Sequence, residues 1–301
     1  MENKIITVNG FSKSFGDNQV VTDLDFEVNK GEVFAFLGAN GSGKTTTIRC
    51  LLGILEASDG SLLIQGKKYG PEMSELVGYL PEERGLYISE TVIDIMTFLG
   101  ELKGMNTEAA RSWSYEYLER VGLRNKAKSK IKKLSSGQQQ KIQLGITIIN
   151  NPQLLILDEP TKGLDPMNRT LLMDILLDLK RKGSTIVFIT HQMEEVEKIA
   201  DRLLMIKEGK QELYGNVTDI KRSFGEDRII INFQGTLPEN PKLYSITTSS
   251  SNAADLVPQD NVGTDIILQY LANQSLKIIK FEVALPSLHE LFIKVSQKDE
   301  K

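Results

Sequence analysis

The sequence predicts an α/β fold in which short buried strands deliver polar residues at their carboxyl ends. Residues 33–37 form an apolar run typical of a buried strand, and residues 46–52 place apolar side chains on one face of a helix. Between them, residues 38–45 match the phosphate-loop pattern G-x-x-x-x-G-K-[ST] in full. Two further apolar runs, residues 154–157 and 184–190, each lead into polar residues. Ligands of open α/β sheets bind at this edge, so the sequence predicts a site there.

The glycine-rich turn predicts a nucleoside triphosphate site. Its glycines let successive backbone N–H groups converge on a phosphate, and the start of the following helix adds its positive end. In this pattern Lys44 reaches the β- and γ-phosphates, and the Thr45 hydroxyl contacts Mg²⁺. The predicted nucleotide-binding residues of this segment are Gly38, Ala39, Asn40, Gly41, Ser42, Gly43, Lys44, Thr45 and Thr46.

Two acidic residues follow the apolar run at residues 154–157. Asp158 is suited to hold Mg²⁺, directly or through water, and Glu159 is suited to accept a proton from an attacking water. His191 follows the run at residues 184–190. These positions predict a metal ligand, a general base and an imidazole at the same edge of the sheet.

A serine-rich turn lies between the phosphate loop and the two acids. Residues 134–138 read Leu-Ser-Ser-Gly-Gln, and Ile142, Ile146 and Ile149 follow at helical spacing. Such a turn opens an amphipathic helix whose first N–H groups can bind an anion. The segment therefore predicts a second anion-binding element.

In this order, the segments resemble those of the ATP-binding subunit of an ABC transporter. Residues 38–45 match the Walker A motif, residues 134–138 the ABC signature and residues 154–159 the Walker B motif. Residues 163–165, Gly-Leu-Asp, match the D-loop, and His191 matches the switch histidine. The resemblance implies a P-loop NTPase core of the ABC ATPase type, with an antiparallel β subdomain and an α-helical subdomain.

The resemblance also implies an assembly and its cofactors, ATP and Mg²⁺. Two ATPase subunits, a second copy of this chain or a paralogous subunit, pair head to tail and drive an integral membrane permease subunit. The phosphate loop of one ATPase then faces the signature of the other. The implied signature contacts are Ser135, Ser136, Gly137 and Gln138.

Individual roles follow from the same resemblance. Glu159 polarises the attacking water, while Lys44 and His191 contact the terminal phosphates. Asp165 of the D-loop helps to couple the two nucleotide sites. In this family an aromatic residue near the N-terminus stacks on adenine, and Phe15 is the candidate here.

Two positions depart from the usual family pattern. Ser136 stands where the signature normally has glycine, and Glu82 stands where a glutamine normally ligates Mg²⁺. A carboxylate still offers oxygen to a hard cation, so the expected metal ligands are Thr45, Glu82 and Asp158. The Glu82 variant resembles a branch of ABC-2 type exporters that includes NatA-like sodium-efflux and multidrug ATPases.

The chain length of 301 residues exceeds one comfortable core and predicts two domains. Residues 1–222 are expected to form the ABC ATPase domain, with a helical subdomain at about residues 88–150. Residues 223–301 are expected to form a small α+β accessory domain. Within it, patterns favour strands at residues 228–233 and 275–283 and helices at residues 263–272 and 287–295.

Composition is that of an ordinary globular protein, with 40% hydrophobic residues, 25% charged residues and a net charge of −4. The acidic charge disfavours a nucleic acid partner. A single cysteine, Cys50, favours a reducing compartment. No apolar run approaches the ~18 residues of a membrane-spanning helix. We therefore expect a cytoplasmic protein, held at the cytoplasmic face of the membrane by its permease.

A soluble ABC ATPase with a regulatory role, or one linked to nucleic acid or ribosomes, is the alternative. Glu159 and His191 argue against a regulatory module that binds ATP without turnover, whereas Glu82 and Ser136 leave it open. ABC ATPases linked to nucleic acid or ribosomes usually fuse two ATPase cassettes or insert a long coiled coil. This sequence has one cassette and no sustained heptads. Both features favour the transporter subunit.

Overall fold

The computed structural model describes residues 3–83, 85–224 and 228–292. The chain forms two compact units, and the boundary lies between Asn216 and Val217. The first unit contains two sheets with their helices, and the second contains one sheet of its own.

A three-stranded antiparallel sheet opens the first unit. Its strands are β1 (Lys4–Phe15), β2 (Asn18–Asn29) and β4 (Asp59–Ile64). β1 lies in the middle, where Val8 pairs with Phe26 on one side and with Leu62 on the other. The sequence predicted several short strands here, whereas β1 and β2 have 12 residues each. A tight turn joins them into a long hairpin.

A six-stranded sheet forms the centre of the first unit. Its strands are β3 (Val33–Leu37), β5 (Val77–Leu80), β6 (Leu154–Asp158), β7 (Thr185–Thr190), β8 (Arg202–Lys207) and β9 (Lys210–Asn216). They lie in the order β5-β6-β7-β3-β8-β9, and all but β9 run parallel. β6, β7 and β3 are neighbours, so their carboxyl ends meet at one edge.

Both faces of this sheet are covered, as fully buried parallel strands require. Along β6, Leu155 and Leu157 belong to a hydrophobic cluster shared with the helices, whereas Leu154 and Ile156 belong to a second cluster shared with the three-stranded sheet. Successive side chains of a strand point to opposite faces, which explains why one strand supplies two cores. The continuous apolar run at residues 154–157 reflects this double burial.

Six helices complete the first unit. They are α1 (Lys44–Leu51), α2 (Val92–Leu102), α3 (Thr107–Arg120), α4 (Ser136–Ile148), α5 (Pro166–Arg181) and α6 (Met193–Ile199). Side chains of Thr91 and Asn106 cap α2 and α3 by accepting bonds from Asp94 N and Ala109 N. In the described ranges, every helix is too short or too polar to cross a bilayer.

The second unit has a four-stranded antiparallel sheet in the order β11-β12-β10-β13. Its elements are α7 (Val217–Phe224), β10 (Arg228–Gln234), β11 (Tyr244–Ser249), β12 (Ala253–Pro258), α8 (Thr264–Ala272) and β13 (Lys277–Ala284). Ile231 of β10, Leu256 of β12 and Leu271 of α8 are fully buried together in its core.

The sequence predictions for this unit missed two strands. β10, α8 and β13 correspond to predicted elements, but no strand was predicted for β11, which lies in a serine- and threonine-rich stretch, or for β12, which follows that stretch. Of the helix predicted at residues 287–295, residues 288–292 are helical, residue 287 directly precedes the helix, and residues 293–295 lie outside the described residues. Ser287 and Glu290 form a reciprocal capping box at its start.

Gly145 of α4 packs closely against Tyr117 of α3 and Met96 of α2. A Cβ at this position would overlap the ring of Tyr117 and lie 3.0 Å from Met96 Cε. Alanine normally stabilises a helix by up to about 1 kcal/mol relative to glycine, whereas overpacking a core costs about 1–3 kcal/mol. Gly145→Ala should therefore lower the free energy of unfolding in urea. The loss should shrink when Tyr117 is also replaced by Leu, and an undiminished loss would contradict this explanation.

Candidate functional site

The phosphate loop lies between β3 and α1, with its lysine folded back over its own carbonyls. Lys44 Nζ donates to Gly38 O at 2.8 Å and to Ala39 O at 2.9 Å. Gly41 and Gly43 have positive φ angles of 81° and 104°, and a Cβ on Gly43 would lie 2.7 Å from Val21 Cγ2. Only glycine fits at position 43, because other residues rarely adopt this φ angle and because a Cβ would clash with Val21. The loop is therefore shaped with its backbone exposed to a ligand.

Asp158, at the end of β6, is almost fully buried beside the phosphate loop. Its Oδ2 accepts a hydrogen bond of 2.9 Å from Thr45 Oγ1. Burial raises the pKa of Asp158 to about 6, and the charges of Glu82 and Glu159 add to the rise, while the Thr45 bond and Lys44 oppose it. Burial likewise lowers the pKa of Lys44. The positive charge of Lys44 and the negative charges of Asp158 and Glu159 thus offset part of the free energy that burying each of these groups costs.

Glu159 is held in a strained conformation by the end of β7. Its φ angle is 48°, in the left-handed region that is uncommon for residues other than glycine. Its Oε1 lies 2.7 Å from His191 Nδ1 and accepts a 3.2 Å bond from His191 N. Its Oε2 is buried and has no hydrogen-bond partner. One carboxylate oxygen is therefore fixed, and the other is left for a ligand or water.

Glu82 follows β5 and joins the same site. Its Oε1 lies 2.6 Å from the Nζ of Lys162, in the loop between Glu159 and Asp165. The sequence predicted Glu82 as a metal ligand and did not identify Lys162. Because 80 residues separate this pair, no local pattern could have revealed it.

These residues surround a cavity of about 440 Å³. It is lined by Val20, Asn40, Gly41, Gly43, Lys44, Thr45, Thr46, Glu82, Asp158 and Glu159. Within the described part of the chain, no three His, Cys, Asp or Glu side chains form a metal site alone. The Thr45 hydroxyl and the carboxylates of Glu82, Asp158 and Glu159 do line the cavity. Mg²⁺ commonly takes one or two carboxylates and completes its shell with phosphates and water. The donor set and the unpartnered Glu159 Oε2 fit a nucleotide with Mg²⁺.

The signature segment lies apart from this cavity. Ser135 is the N-cap of α4 and forms a capping box with Gln138. Ser135 N donates to Gln138 Oε1, and Gln138 N donates to Ser135 Oγ. Ser135 and Ser136 are exposed. None of residues 135–138 is among the residues that line the cavity. One chain therefore holds the phosphate loop and the signature as separate surfaces.

Asp165 and Phe15 also lie outside the cavity lining, and so do four other predicted residues: Gly38, Ala39, Ser42 and His191. Asp165 caps α5, accepting from Asn168 N at 2.8 Å and from Asn168 Nδ2 at 2.7 Å, and these bonds lower its pKa. Phe15, at the end of β1, is 48% exposed, and Lys13 Nζ lies 4.8 Å from the centre of its ring. The ring of Phe15 is thus exposed to solvent, whereas the ring of an ordinary core aromatic residue is buried.

Two family models match the chain. One, described as ABC transporter, matches residues 21–162. The other, described as ATP-binding protein DrrA1-3-like, C-terminal domain, matches residues 215–296. Together they account for segments in both compact units.

Named relatives and a solved structure agree with these matches. An uncharacterised ABC transporter ATP-binding protein of Methanocaldococcus jannaschii is 43% identical over 84% of this chain and 93% of the relative. The linearmycin resistance ATP-binding protein LnrL of Bacillus subtilis is 34% identical over 75% of this chain and 74% of its own. A solved ATP-binding subunit of an ABC transporter has a TM-score of 0.69 and 29% identity, over 73% of this chain and 93% of that chain.

The buried Asp158 should destabilise the unliganded protein when it is ionised. Its folded-state pKa of about 6 exceeds the ordinary value of 3.8, so the penalty is complete above pH ~6 and disappears as pH falls towards 3.8. Asp158→Asn keeps the acceptor for Thr45 and should raise the free energy of unfolding at pH 8 by about 1–3 kcal/mol. Urea unfolding should show a much smaller gain at pH 4. An equal gain at both pH values would contradict this cause.

Proposed function

The chain belongs to the ABC transporter ATP-binding proteins, and we propose that it powers an ABC-2 type membrane exporter through a head-to-tail pair of ATPase subunits. Members of this family are ATPases that work with membrane permease components. The export assignment is supported by the DrrA-like match at residues 215–296 and by likeness to the LnrL resistance protein. The observation that carries the pairing is the exposure of Ser135 and Ser136 outside the cavity that holds Lys44.

Nucleotide binding follows from the phosphate loop. The backbone N–H groups of residues 41–45 and the Lys44 ammonium would bind the phosphates of ATP, and burial strengthens these contacts. Thr45, Asp158 and Glu82 would hold Mg²⁺, which supplies positive charge against the β- and γ-phosphates when bound. Phe15 would stack on the adenine from its exposed position. Gly38–Ser42 and Thr46 complete the loop.

Hydrolysis requires a base beside the terminal phosphate. Glu159 fits this role because His191 fixes its Oε1 at 2.7 Å, while Oε2 is free to accept a proton from water. The strained backbone of Glu159 aims the carboxylate into the cavity. His191 positions this base and would contact the γ-phosphate, as the resemblance implies.

The second subunit would complete the site. Its residues 135–138 would close over the terminal phosphate, with helix N–H groups facing the anion and water excluded. Ser136 carries a hydroxyl where glycine is usual, and in this position it adds one hydrogen-bond donor. Asp165, at the start of α5, would link closure at one site to the other.

The permease would dock beside α2. Tyr87, Ile88 and Phe98 are 61%, 57% and 48% exposed, and a cavity of about 340 Å³ lies between Tyr87, Glu90, Asp94, Ile95 and Phe98. Leu86 instead packs against the helical core, so of residues 86–88 only Tyr87 and Ile88 are available. Apolar walls with two carboxylates suit an amphipathic cytoplasmic helix that carries a basic residue. The permease would in this way hold the ATPase at the cytoplasmic face of the membrane.

The domain division proposed from the sequence is retained with this function. Residues 1–222 would bind and hydrolyse ATP, with the helical subdomain at about residues 88–150 facing the permease. Residues 223–301 would form the accessory domain. The compact units divide a few residues earlier, before Val217, which places α7 with the accessory domain.

Glu159→Gln preserves shape and the bond to His191 but removes the basic carboxylate. ATP hydrolysis should fall roughly 10²-fold or more, while ATP still binds and an ATP-bound dimer accumulates. Phosphate release and size-exclusion chromatography with ATP measure both effects. Lys44→Ala should instead abolish nucleotide binding, and Glu194→Gln, an exposed acid on α6, should leave turnover unchanged. Turnover near that of the wild type in Glu159→Gln would remove Glu159 from this role.

Tyr87→Asp tests the docking surface. The charge should weaken a detergent-stable complex with the co-expressed permease, because it places a carboxylate against an apolar helix face beside Glu90 and Asp94. ATP binding by the isolated subunit should not change. Ile54→Asp is the matched control, since Ile54 is 58% exposed outside this cavity. Equal complex yields for both variants would place the permease elsewhere.

A further inference from the structure

Two loops that carry catalytic acids are joined by one ion pair. Glu82 lies in the loop after β5 and lines the nucleotide cavity, and Lys162 lies in the loop that leads from Glu159 to Asp165. Their charged atoms are 2.6 Å apart. The pair therefore connects the expected metal ligand to the loop that carries the D-loop aspartate.

The signature helix contacts both loops through two glutamines. Gln140 Nε2 donates to Pro160 O at 3.0 Å. Gln143 Nε2 lies within 3.4 Å of Pro81 O and 3.5 Å of Glu83 O. Residues three apart share one helix face, so α4 holds the two loops side by side. The Glu82–Lys162 pair then closes a triangle made of α4 and the two loops.

Charge explains what Lys162 does in this triangle. Three carboxylates, Glu82, Asp158 and Glu159, line one cavity, and Glu82 and Glu159 both contribute to the raised pKa of Asp158. Lys162 Nζ contacts Glu82 Oε1 directly, from outside the cavity lining. The Lys162 ammonium at Oε1 and a divalent cation in the cavity are both attracted to the single negative charge of Glu82. Mg²⁺ must therefore compete with Lys162 for Glu82.

We propose that Lys162 is a positioning residue that holds Glu82 against the 160–165 loop and yields it to the metal. The inference rests on the proposed role of Glu82 as a metal ligand. When Glu82 turns to the metal, the ion pair breaks and the loop that ends at Asp165 loses one of its attachments. Metal occupancy in this way reaches the D-loop within one subunit.

The expected effect is small because the pair is partly exposed. The side chains of Lys162 and Glu82 are 61% and 39% exposed, and exposed ion pairs typically contribute 0.2–1 kcal/mol. Removing the competing charge should therefore tighten metal binding about 1.5- to 5-fold. Lys162→Met keeps the apolar stem without the charge, and Lys162→Arg keeps the charge.

The test is a double-mutant cycle on metal affinity. Mn²⁺ binding is measured by electron paramagnetic resonance in the presence of a non-hydrolysable ATP analogue, for wild type, Lys162→Met, Glu82→Ala and the double variant. Lys162→Met should tighten Mn²⁺ binding and Glu82→Ala, which removes the oxygen ligand, should weaken it, whereas Lys162→Met should have no effect in the Glu82→Ala background. Lys162→Arg should behave as wild type. Nucleotide binding in EDTA and urea unfolding confirm that each variant is folded.

The outcomes separate this inference from the proposed function. If Glu82→Ala weakens Mn²⁺ binding but Lys162→Met has the same effect in both backgrounds, or no effect in either, Lys162 does not act through Glu82. If Glu82→Ala leaves Mn²⁺ affinity unchanged, the metal role of Glu82 is wrong, and the inference falls with it. Loss of nucleotide binding in Lys44→Ala remains a separate test of the ATP site.

Discussion

The adjacency of three parallel strands is the constraint on which the site depends. β3 lies beside β7, and β7 beside β6, with Leu37 opposite Thr190 and Asp158 opposite Ile189. This register places the phosphate loop, the Walker B acids and His191 at one edge, although they are far apart in sequence. The register is fixed in turn because each strand is buried on both faces, so a shift by one residue would exchange the side chains of two cores. Packing of the sheet thus sets the geometry of the chemistry.

Burial of charge is the second condition for function. Asp158 is 1% exposed and Lys44 is 6% exposed, and the free energy of burying each is offset only partly by the other. Glu159 adds backbone strain and an unpartnered oxygen. Such features destabilise a protein unless a ligand completes them. The site is organised to bind a charged ligand, with part of the binding free energy compensating for this cost.

Motif-bearing parts of the chain were the most predictable from sequence. The predicted fold class and family are confirmed by the family models and by the solved ABC subunit. Residues 33–37 and 154–158 form the predicted strands, because double burial produces a continuous apolar run. β11 was missed for the opposite reason, since much of it is exposed and polar and shows no apolar alternation. β12 does alternate partly exposed and buried residues, but only over residues 253–256, directly after the serine- and threonine-rich stretch. Lys162, Gln140 and Gln143 were missed because their contacts join distant segments and follow no local periodicity. The roles assigned to individual site residues stay predictions.

The phosphate loop and the signature are separate surfaces of one chain, and α4 connects the signature to the loops beside the nucleotide cavity. Its first turn presents Ser135 and Ser136 outward, while Gln140 and Gln143, farther along the helix, hold the loops beside the nucleotide cavity. The exposed signature turn and the loops that carry Glu82 and Lys162 are thus attached to one helix. In the proposed pair of subunits, contact of a second subunit at Ser135 and occupation of the first subunit's own cavity would both act on α4. Packing of this helix would then couple the two half-sites of one chain.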